Sequence, residues 1–238
     1  MRLQRVLVLA LGLPLLLIAL FTGSLELLYH WALTLAPVPP KPEALHRLPT
    51  VVSDSVWVAE FGSYYTLERR MVNRTIHPII PAARIVLLPR GATDLATTAA
   101  RFGPLPDTSR HGAWRRYLAV AARTIWISRH YTADEAVAYV AANLDFGFGL
   151  GDITTASDRL FGKPLDALGP TDAAVLLGVA QLLPRFDPWC HPRAAIARRN
   201  HLLGRLSEIG TVPCEELATL SAAPLNIEPA DPGRTCSP

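Results

Sequence analysis

Cysteine is scarce in this chain of 238 residues, which contains Cys190, Cys214 and Cys236 and no others. There is no Cys-x-x-Cys pair and no histidine-rich run, which argues against a metal site built on thiolates. In an exported chain three cysteines permit one disulfide and leave one thiol, and the sequence does not indicate which two pair. The net charge is only +3, so composition gives no reason to expect a nucleic-acid partner.

Alternating strand patterns are also rare, whereas half of the residues are hydrophobic. The pattern predicts a mainly α fold with one soluble domain. A helix opens near residue 56, and residues 76–88 are expected to be irregular, with one short strand at most. Thr132 and Thr171 are predicted caps, the first with Glu135 three residues on, and Gly210 is the predicted end of a helix. The other predicted helices cover residues 95–101, 113–129, 132–143, 171–183 and 194–209.

One apolar segment dominates the N-terminal part. Arg2 and Arg5 precede an uncharged run over residues 6–24, close to the roughly 20 residues that a bilayer core requires. The arginines predict a cytoplasmic N-terminus and an outward-facing domain. A cleaved signal peptide is the alternative, but no small-x-small cleavage site follows the run, and an uncleaved anchor is expected. The predicted organisation is an anchor (1–35), a proline-rich, extended linker (36–48), one domain (49–228) and a tail (229–238).

Three segments of the last third carry a family resemblance. Residues 172–188 resemble the signature EAALLAGLPQAPSRYDP, residues 156–163 resemble AAxxYFGK, and residues 197–203 resemble ARRNLVL. Together they are similar to glycosyltransferase family 51, the biosynthetic peptidoglycan transglycosylases. The resemblance is good over residues 133–225 and poor over 49–129. Most of these residues are core residues, and Gly178 is expected to allow close contact between helices.

This resemblance implies a lysozyme-like helical transglycosylase domain behind one transmembrane helix. The family polymerises lipid II, so the implied partners are lipid II, the nascent glycan strand, the membrane and other cell-wall synthesis proteins, and no nucleic acid. The implied location is the bacterial inner membrane, crossed once, with the domain on the periplasmic side. A divalent metal ion, Mg²⁺ or Mn²⁺, often assists the family's reaction, and no other cofactor is implied.

The family's catalytic base is a glutamate in an A-x-E-D-x-x-F motif, which residues 58–64 resemble. By this resemblance Glu60 is the base that accepts the proton of the attacking hydroxyl, and Tyr64 is the aromatic residue of the substrate site. Phe61 replaces the aspartate. A surface glutamate at the start of a helix is the alternative interpretation of Glu60.

The next two motifs are degraded. Residues 91–101 match GGSTITQQLAKN loosely, with Thr93 and Arg101 as substrate-binding residues, although both glutamines are lost. The basic segment RKxxE is matched by Arg115 and Arg116, and Tyr117 stands where the second glutamate belongs. No carboxylate lies between Asp107 and Asp134. The remaining predicted substrate-binding residues are Arg123 and Asn143, and the arginines of this segment would otherwise form a solvated or headgroup-facing helix side.

Three hypotheses stay open on this basis. The chain is a working, divergent glycosyltransferase that uses Glu60, or a catalytically dead relative that binds lipid II, glycan or a cell-wall synthase as a scaffold. The third is a lysozyme-like hydrolase in which one glutamate serves as general acid. A lipid II polymerisation assay separates the first hypothesis from the other two.

Overall fold

The computed structural model describes residues 2–40, 48–62, 90–106, 112–147, 150–181 and 185–230 together with Cys236. Side chains are not described for residues 2–11, 90–94 and 181. The predicted irregular segment at residues 76–88 and residues 41–47 of the predicted linker lie outside the described residues.

The apolar segment forms one helix, α1 (Arg2–Leu33), which continues through Pro14. At about 1.5 Å per residue it is about 48 Å long. Its leucines between residues 13 and 20 are 55–66% exposed, so no part of the described domain covers them. The segment Gly12–Leu33 is long and apolar enough to cross a bilayer, with a mean hydropathy of 1.7, a property that an anchor and a signal sequence share.

The rest of the described chain is helical and contains no strand. The helices are α2 (Thr50–Phe61), α3 (Arg90–Arg101), α4 (Ala113–His130), α5 (Ala133–Ala142), α6 (Ile153–Phe161), α7 (Pro170–Gln181), α8 (Pro192–Glu208) and α9 (Cys214–Ala222), with one 3₁₀ turn at Leu165–Ala167. The prediction of a mainly α, lysozyme-like helical domain behind an apolar N-terminal helix is confirmed.

Local signals place several helix ends correctly. The side chain of Thr132 accepts a hydrogen bond from the amide of Glu135 at 3.2 Å, and the Glu135 carboxylate accepts one from the amide of Thr132 at 2.7 Å. This is the predicted capping box. Gly210 has a φ of 76° just after α8, where a residue without a β-carbon is favoured. The predicted cap at Thr171 is wrong: α7 begins at Pro170, because the fixed φ of proline suits a first helical turn.

The core lies around α7, which packs against α2, α6 and α8. Every residue from 173 to 177 is buried, and Leu176 and Leu177 have no exposed surface. A helix that is apolar on all sides is stable only when it is buried, in a domain core or in a membrane. Trp57 of α2, 1% exposed, belongs to the same cluster, and α3 and α5 complete it.

A disulfide joins Cys190 to Cys236, with the Cα atoms 5.5 Å apart, and leaves Cys214 as an exposed free thiol. Two hydrogen bonds hold the chain near Glu228, which lies between these cysteines in sequence, on the domain. The indole nitrogen of Trp189 donates to the carbonyl of Glu228 at 2.8 Å, and the amide of Glu228 donates to the carbonyl of Leu160 at 2.8 Å.

Candidate functional site

Glu60, the predicted base, lies one residue before the end of α2, and the helix is held against α8 and the turn after it. The Asp54 carboxylate accepts a hydrogen bond of 2.7 Å from the hydroxyl of Thr211, in the turn after α8. Gly62, with a φ of 73°, follows α2, and a β-carbon there would lie 2.8 Å from Nη1 of Arg205. Glycine at this position therefore lets the end of α2 approach α8 closely.

The surroundings of Glu60 on α8 are basic. Arg198, His201 and Arg205 are three and four residues apart and share one face of the helix. Burial lowers the pKa of Arg198, the positive charge of Arg205 lowers it further, and the nearby carboxylate of Glu60 acts in the opposite direction. One carboxylate and two guanidinium groups thus lie in the same region between α2 and α8, where Glu60 acts on Arg198 through its charge and Arg205 approaches Gly62.

His201 is hydrogen-bonded to one of the two arginines of this face. Nε of Arg205 donates to Nε2 of His201 at 3.1 Å. Partial burial and the positive charges of Arg205 and Arg198 lower the pKa of His201. A neutral imidazole can accept this hydrogen bond and an imidazolium cannot, so the lowered pKa and the geometry agree.

Gly178 of α7 allows α8, which carries these basic residues, to pack close to α7. A β-carbon at Gly178 would lie 3.1 Å from Cγ of Arg198, so the predicted close helix contact at this glycine is confirmed. The guanidinium carbon of Arg198 lies 5.9 Å from the ring centre of Phe186. Arg198 is therefore positioned by two residues of the 172–188 segment that carries the family resemblance.

Sequence reasoning missed Arg198, His201 and Arg205 as site residues. The arginines are expected on the outer side of an amphipathic helix, and the ARRN motif identifies the fold. The sequence does show that the three residues share one face of α8. That pattern indicates a site only when the fold brings Glu60, more than a hundred positions earlier, close to this face.

Arg123, predicted to bind substrate, is 1% exposed. Its guanidinium donates to the carbonyls of Phe102 and Pro104, the second at 3.3 Å, and bonds to the hydroxyl of Tyr139. Burial lowers the pKa of Arg123. These contacts fix the turn after α3, so the guanidinium has a structural part in the described domain.

Asn143, at the end of α5, and Arg123 line the same cavity of about 390 Å³. The linker residues 37–40 also line it, together with Gly103, Pro104, Tyr139 and Ala142. The side chain of Asn143 donates to the carbonyl of Tyr139 at 2.8 Å. The structure therefore brings two of the predicted substrate-binding residues together, on a surface that the linker also touches.

The other predicted residues lie elsewhere. Arg115 and Arg116 are exposed in the first turn of α4, next to Tyr117, and Arg101 is exposed at the end of α3. Tyr64 lies outside the described residues. Thr93 lies in the first turn of α3, and its side chain is not described.

The described residues do not present a divalent metal site. Within them, no group of three or more His, Cys, Asp or Glu side chains is placed to hold a metal ion. The ligands that Mg²⁺ and Mn²⁺ prefer are oxygens, and Glu60 lies beside arginines.

The arrangement between α2 and α8 can perform two tasks. A carboxylate can accept a proton from a hydroxyl group, and guanidinium groups can hold phosphate oxygens through their planar set of donors. A carboxylate and two arginines within one site suit a reaction in which a hydroxyl attacks and a phosphate-bearing group leaves.

Comparison with known proteins agrees with a transglycosylase-like relationship. The chain is 27% identical over 190 residues to penicillin-binding protein 1F of Bacillus subtilis, an alignment that covers 79% of this chain and 26% of that protein. It is 34% identical over 74 residues to penicillin-binding protein 1B of Escherichia coli, covering 31% of this chain and 9% of that protein. A Cupriavidus necator protein whose name includes the word transglycosylase is 27% identical over 140 residues, 59% of each chain. No protein-family profile matches the chain.

The short coverage of these relatives limits which of their properties can be inferred for this chain. The chain spans about a quarter or less of the length of the two penicillin-binding proteins. It is thus similar to a part of each.

Proposed function

We propose that this chain is a peptidoglycan glycosyltransferase-like protein of the family 51 type, acting on lipid II in the synthesis of cell-wall glycan strands. In this reaction a free sugar hydroxyl of one lipid II attacks the sugar carbon that carries the pyrophosphate of the growing strand. The new glycosidic C–O bond forms, the bond to the pyrophosphate breaks, and Glu60 accepts the proton of the attacking hydroxyl.

The observation that carries this proposal is the position of Glu60 at the end of α2, where its charge acts on Arg198 and where Arg205 approaches the nearby Gly62. The carboxylate supplies the base, and the guanidinium groups supply positive charge for the departing pyrophosphate. The relatives named as penicillin-binding proteins and as a transglycosylase support the same reaction class. Tyr64, Thr93, Arg101, Arg115, Arg116, Arg123 and Asn143 remain proposed contributors to substrate binding.

The proposed location is the outer face of the bacterial inner membrane. The apolar helix α1 supports a single-pass anchor, with Arg2 and Arg5 on the cytoplasmic side. The disulfide between Cys190 and Cys236 supports an oxidising compartment. A polyprenyl-linked substrate stays in the bilayer, so an anchored domain meets it at the headgroup plane.

The test is lipid II polymerisation by the full chain in detergent, with polymer resolved by gel electrophoresis. We expect Glu60→Gln to lower the rate by about 10²–10⁴-fold, the usual contribution of a general base. Glu216→Gln, an exposed glutamate in the first turn of α9, is the matched control and should retain full activity. Polymer formation at the same rate by Glu60→Gln would refute the assigned role of Glu60.

A second candidate function, a non-catalytic lipid II binding protein, is favoured by one observation. Tyr117, in the position of the family's second glutamate, is 77% exposed, and no carboxylate lies between Asp107 and Asp134. This candidate predicts lipid II binding that Glu60→Gln leaves unchanged, with no polymer from either protein where an intact family member succeeds. Release of soluble fragments from purified cell wall would instead indicate the hydrolase.

A further inference from the structure

Helix α4 is joined to α1 at one end by an ion pair. Arg129 binds the carboxylate of Glu26 through two hydrogen bonds, of 2.7 and 3.1 Å, and its guanidinium carbon lies 4.3 Å from the ring centre of Tyr29. The Arg129 side chain is only 13% exposed. A two-point arginine–carboxylate contact of this kind fixes both the distance and the direction between two helices.

At the other end of α4 a second contact fixes the angle between the helices. The rings of Trp31 and Trp114 stack with centres 6.1 Å apart and planes 15° apart. Along α4, Trp114 and Arg129 are about 22 Å apart, whereas along α1 Glu26 and Trp31 are about 7.5 Å apart, at about 1.5 Å per residue. Helix α4 therefore crosses α1 steeply, and it lies close to the membrane plane when α1 spans the bilayer.

The level of this crossing along α1 matches the lipid headgroups. The uncharged run ends at Ser24, and Trp31 lies about 10 Å beyond it, comparable to the polar layer of about 5–8 Å on each side of the core. At this level Leu27 is 74% exposed, Leu28 45% and Trp31 44%. Large apolar side chains exposed on this part of the helix favour contact with a membrane interface over contact with water.

In its first half, up to Ala121, helix α4 has a third side that the described domain leaves exposed. One side, with Ala119, Arg123 and Ile127, is buried in the domain, and another, with Leu118 and Ala122, packs on α1. The open side carries Trp114 and Tyr117, which are 48% and 77% exposed, followed by Ala121.

The first turn of α4 is positively charged, with one arginine on each flank of the open side. Arg115 and Arg116 are both exposed, and α4 contains no carboxylate. Tryptophan and tyrosine are enriched at membrane interfaces, and clustered arginines are attracted to anionic headgroups.

We propose that the open side of α4, together with Leu27, Leu28 and Trp31 of α1, is a surface that binds the headgroups of anionic phospholipids. We call it the α4 membrane face. It rests on the proposed single-pass anchoring of α1, and it deepens that proposal by assigning the orientation of the domain on the bilayer. The Glu26–Arg129 pair positions this face, and the aromatic and basic residues of α4 make the contact.

A depth measurement on the full chain tests the proposal. The chain is reconstituted in phosphatidylcholine vesicles with and without phosphatidylglycerol, without lipid II. A spin label is attached at Tyr117→Cys in a Cys214→Ser background, which leaves the native disulfide intact. Accessibility of the label to oxygen and to a water-soluble nickel complex reports its depth. The matched control is a label at Glu216→Cys, exposed on α9.

With phosphatidylglycerol present, we expect the label at position 117 to be shielded from the nickel complex at headgroup depth, and the label at position 216 to remain in water. The double variant Arg115→Gln and Arg116→Gln should reduce the shielding severalfold, because both arginines are exposed and their loss does not disturb the core. Equal nickel accessibility at positions 117 and 216 would overturn the proposal. Failure of the protein to float with the vesicles would instead refute the anchor, and neither readout depends on glycan synthesis.

Discussion

Gly178 of α7 and Arg198 of α8 are so close that a β-carbon on the glycine would lie 3.1 Å from Cγ of the arginine. Arg198 is also the arginine whose pKa responds to the charge of Glu60. A residue of the family-like signature therefore acts on the candidate site through packing, by determining how near α8 comes to α7.

Gly178→Ala should affect activity more than stability. The added methyl group displaces the Arg198 side chain by a few tenths of an ångström, and displacements of catalytic groups reduce rates steeply, here by about tenfold. Alanine in a helix is favoured over glycine by about 0.5–1 kcal/mol, which offsets the crowding. We expect a free energy of unfolding within about 1 kcal/mol of the wild type, measured by denaturant titration beside the lipid II assay.

Gly204→Ala is the matched control for this change. Gly204 also lies in a helix, α8, but no atom lies within 4 Å of the β-carbon position. This variant should gain about 0.5–1 kcal/mol of stability and keep its activity. Equal loss of activity in the two variants would show that the contact between Gly178 and Arg198 does not matter.

Arg199 should be a stability residue and not a site residue. It has no exposed surface, and its guanidinium donates to the carbonyls of Ser221 and Ala223, both at 2.7 Å, which ties α8 to the end of α9. Arg199→Met removes both of these hydrogen bonds from a guanidinium, and we expect a loss of about 2–4 kcal/mol in the free energy of unfolding. Arg193→Met, at an exposed position in the first turn of α8, should change it by less than about 0.5 kcal/mol. Equal losses in a urea titration would contradict this assignment.

The sequence predicts those structural features that depend on residues close together in the chain. The cap at Thr132 follows from a motif four residues long, whereas the cap at Thr171 is misplaced because Pro170 competes with it for the helix start. The approach of Arg198 to Glu60 and the pairing of Glu26 with Arg129 join residues more than a hundred positions apart. No periodicity carries that information, because such pairs form only when helices pack in three dimensions. The family resemblance supplies Glu60 but not its basic surroundings.

Thr132→Ala tests the local signal directly. The variant removes the hydroxyl that accepts the Glu135 amide, and loss of such a cap costs about 0.5–2 kcal/mol. Thr132→Ser retains the acceptor and should recover most of the stability. If alanine and serine gave the same unfolding midpoint in a thermal melt, the capping box would contribute nothing.

Tyr131 should make the attachment of the linker dependent on pH. Its hydroxyl donates to the carbonyl of Pro40 at 2.7 Å and to that of Pro39 at 3.2 Å. Burial, followed by the charges of Tyr139 and Glu135, raises the pKa of Tyr131 to about 12. The unfolded value is about 10, so the contribution of Tyr131 is fully present below about pH 10 and is lost as the pH rises towards about 12.

Tyr131→Phe removes both hydrogen bonds and the titrating group. We expect it to lower the free energy of unfolding by about 1 kcal/mol near neutral pH, and to lose less stability than the wild type between about pH 10 and about pH 12. Tyr117→Phe, at a position that is 77% exposed, is the control and should follow the wild type throughout. Urea titrations across this range make the comparison, and a Tyr131→Phe curve parallel to that of the wild type would show that the phenol does not hold the linker.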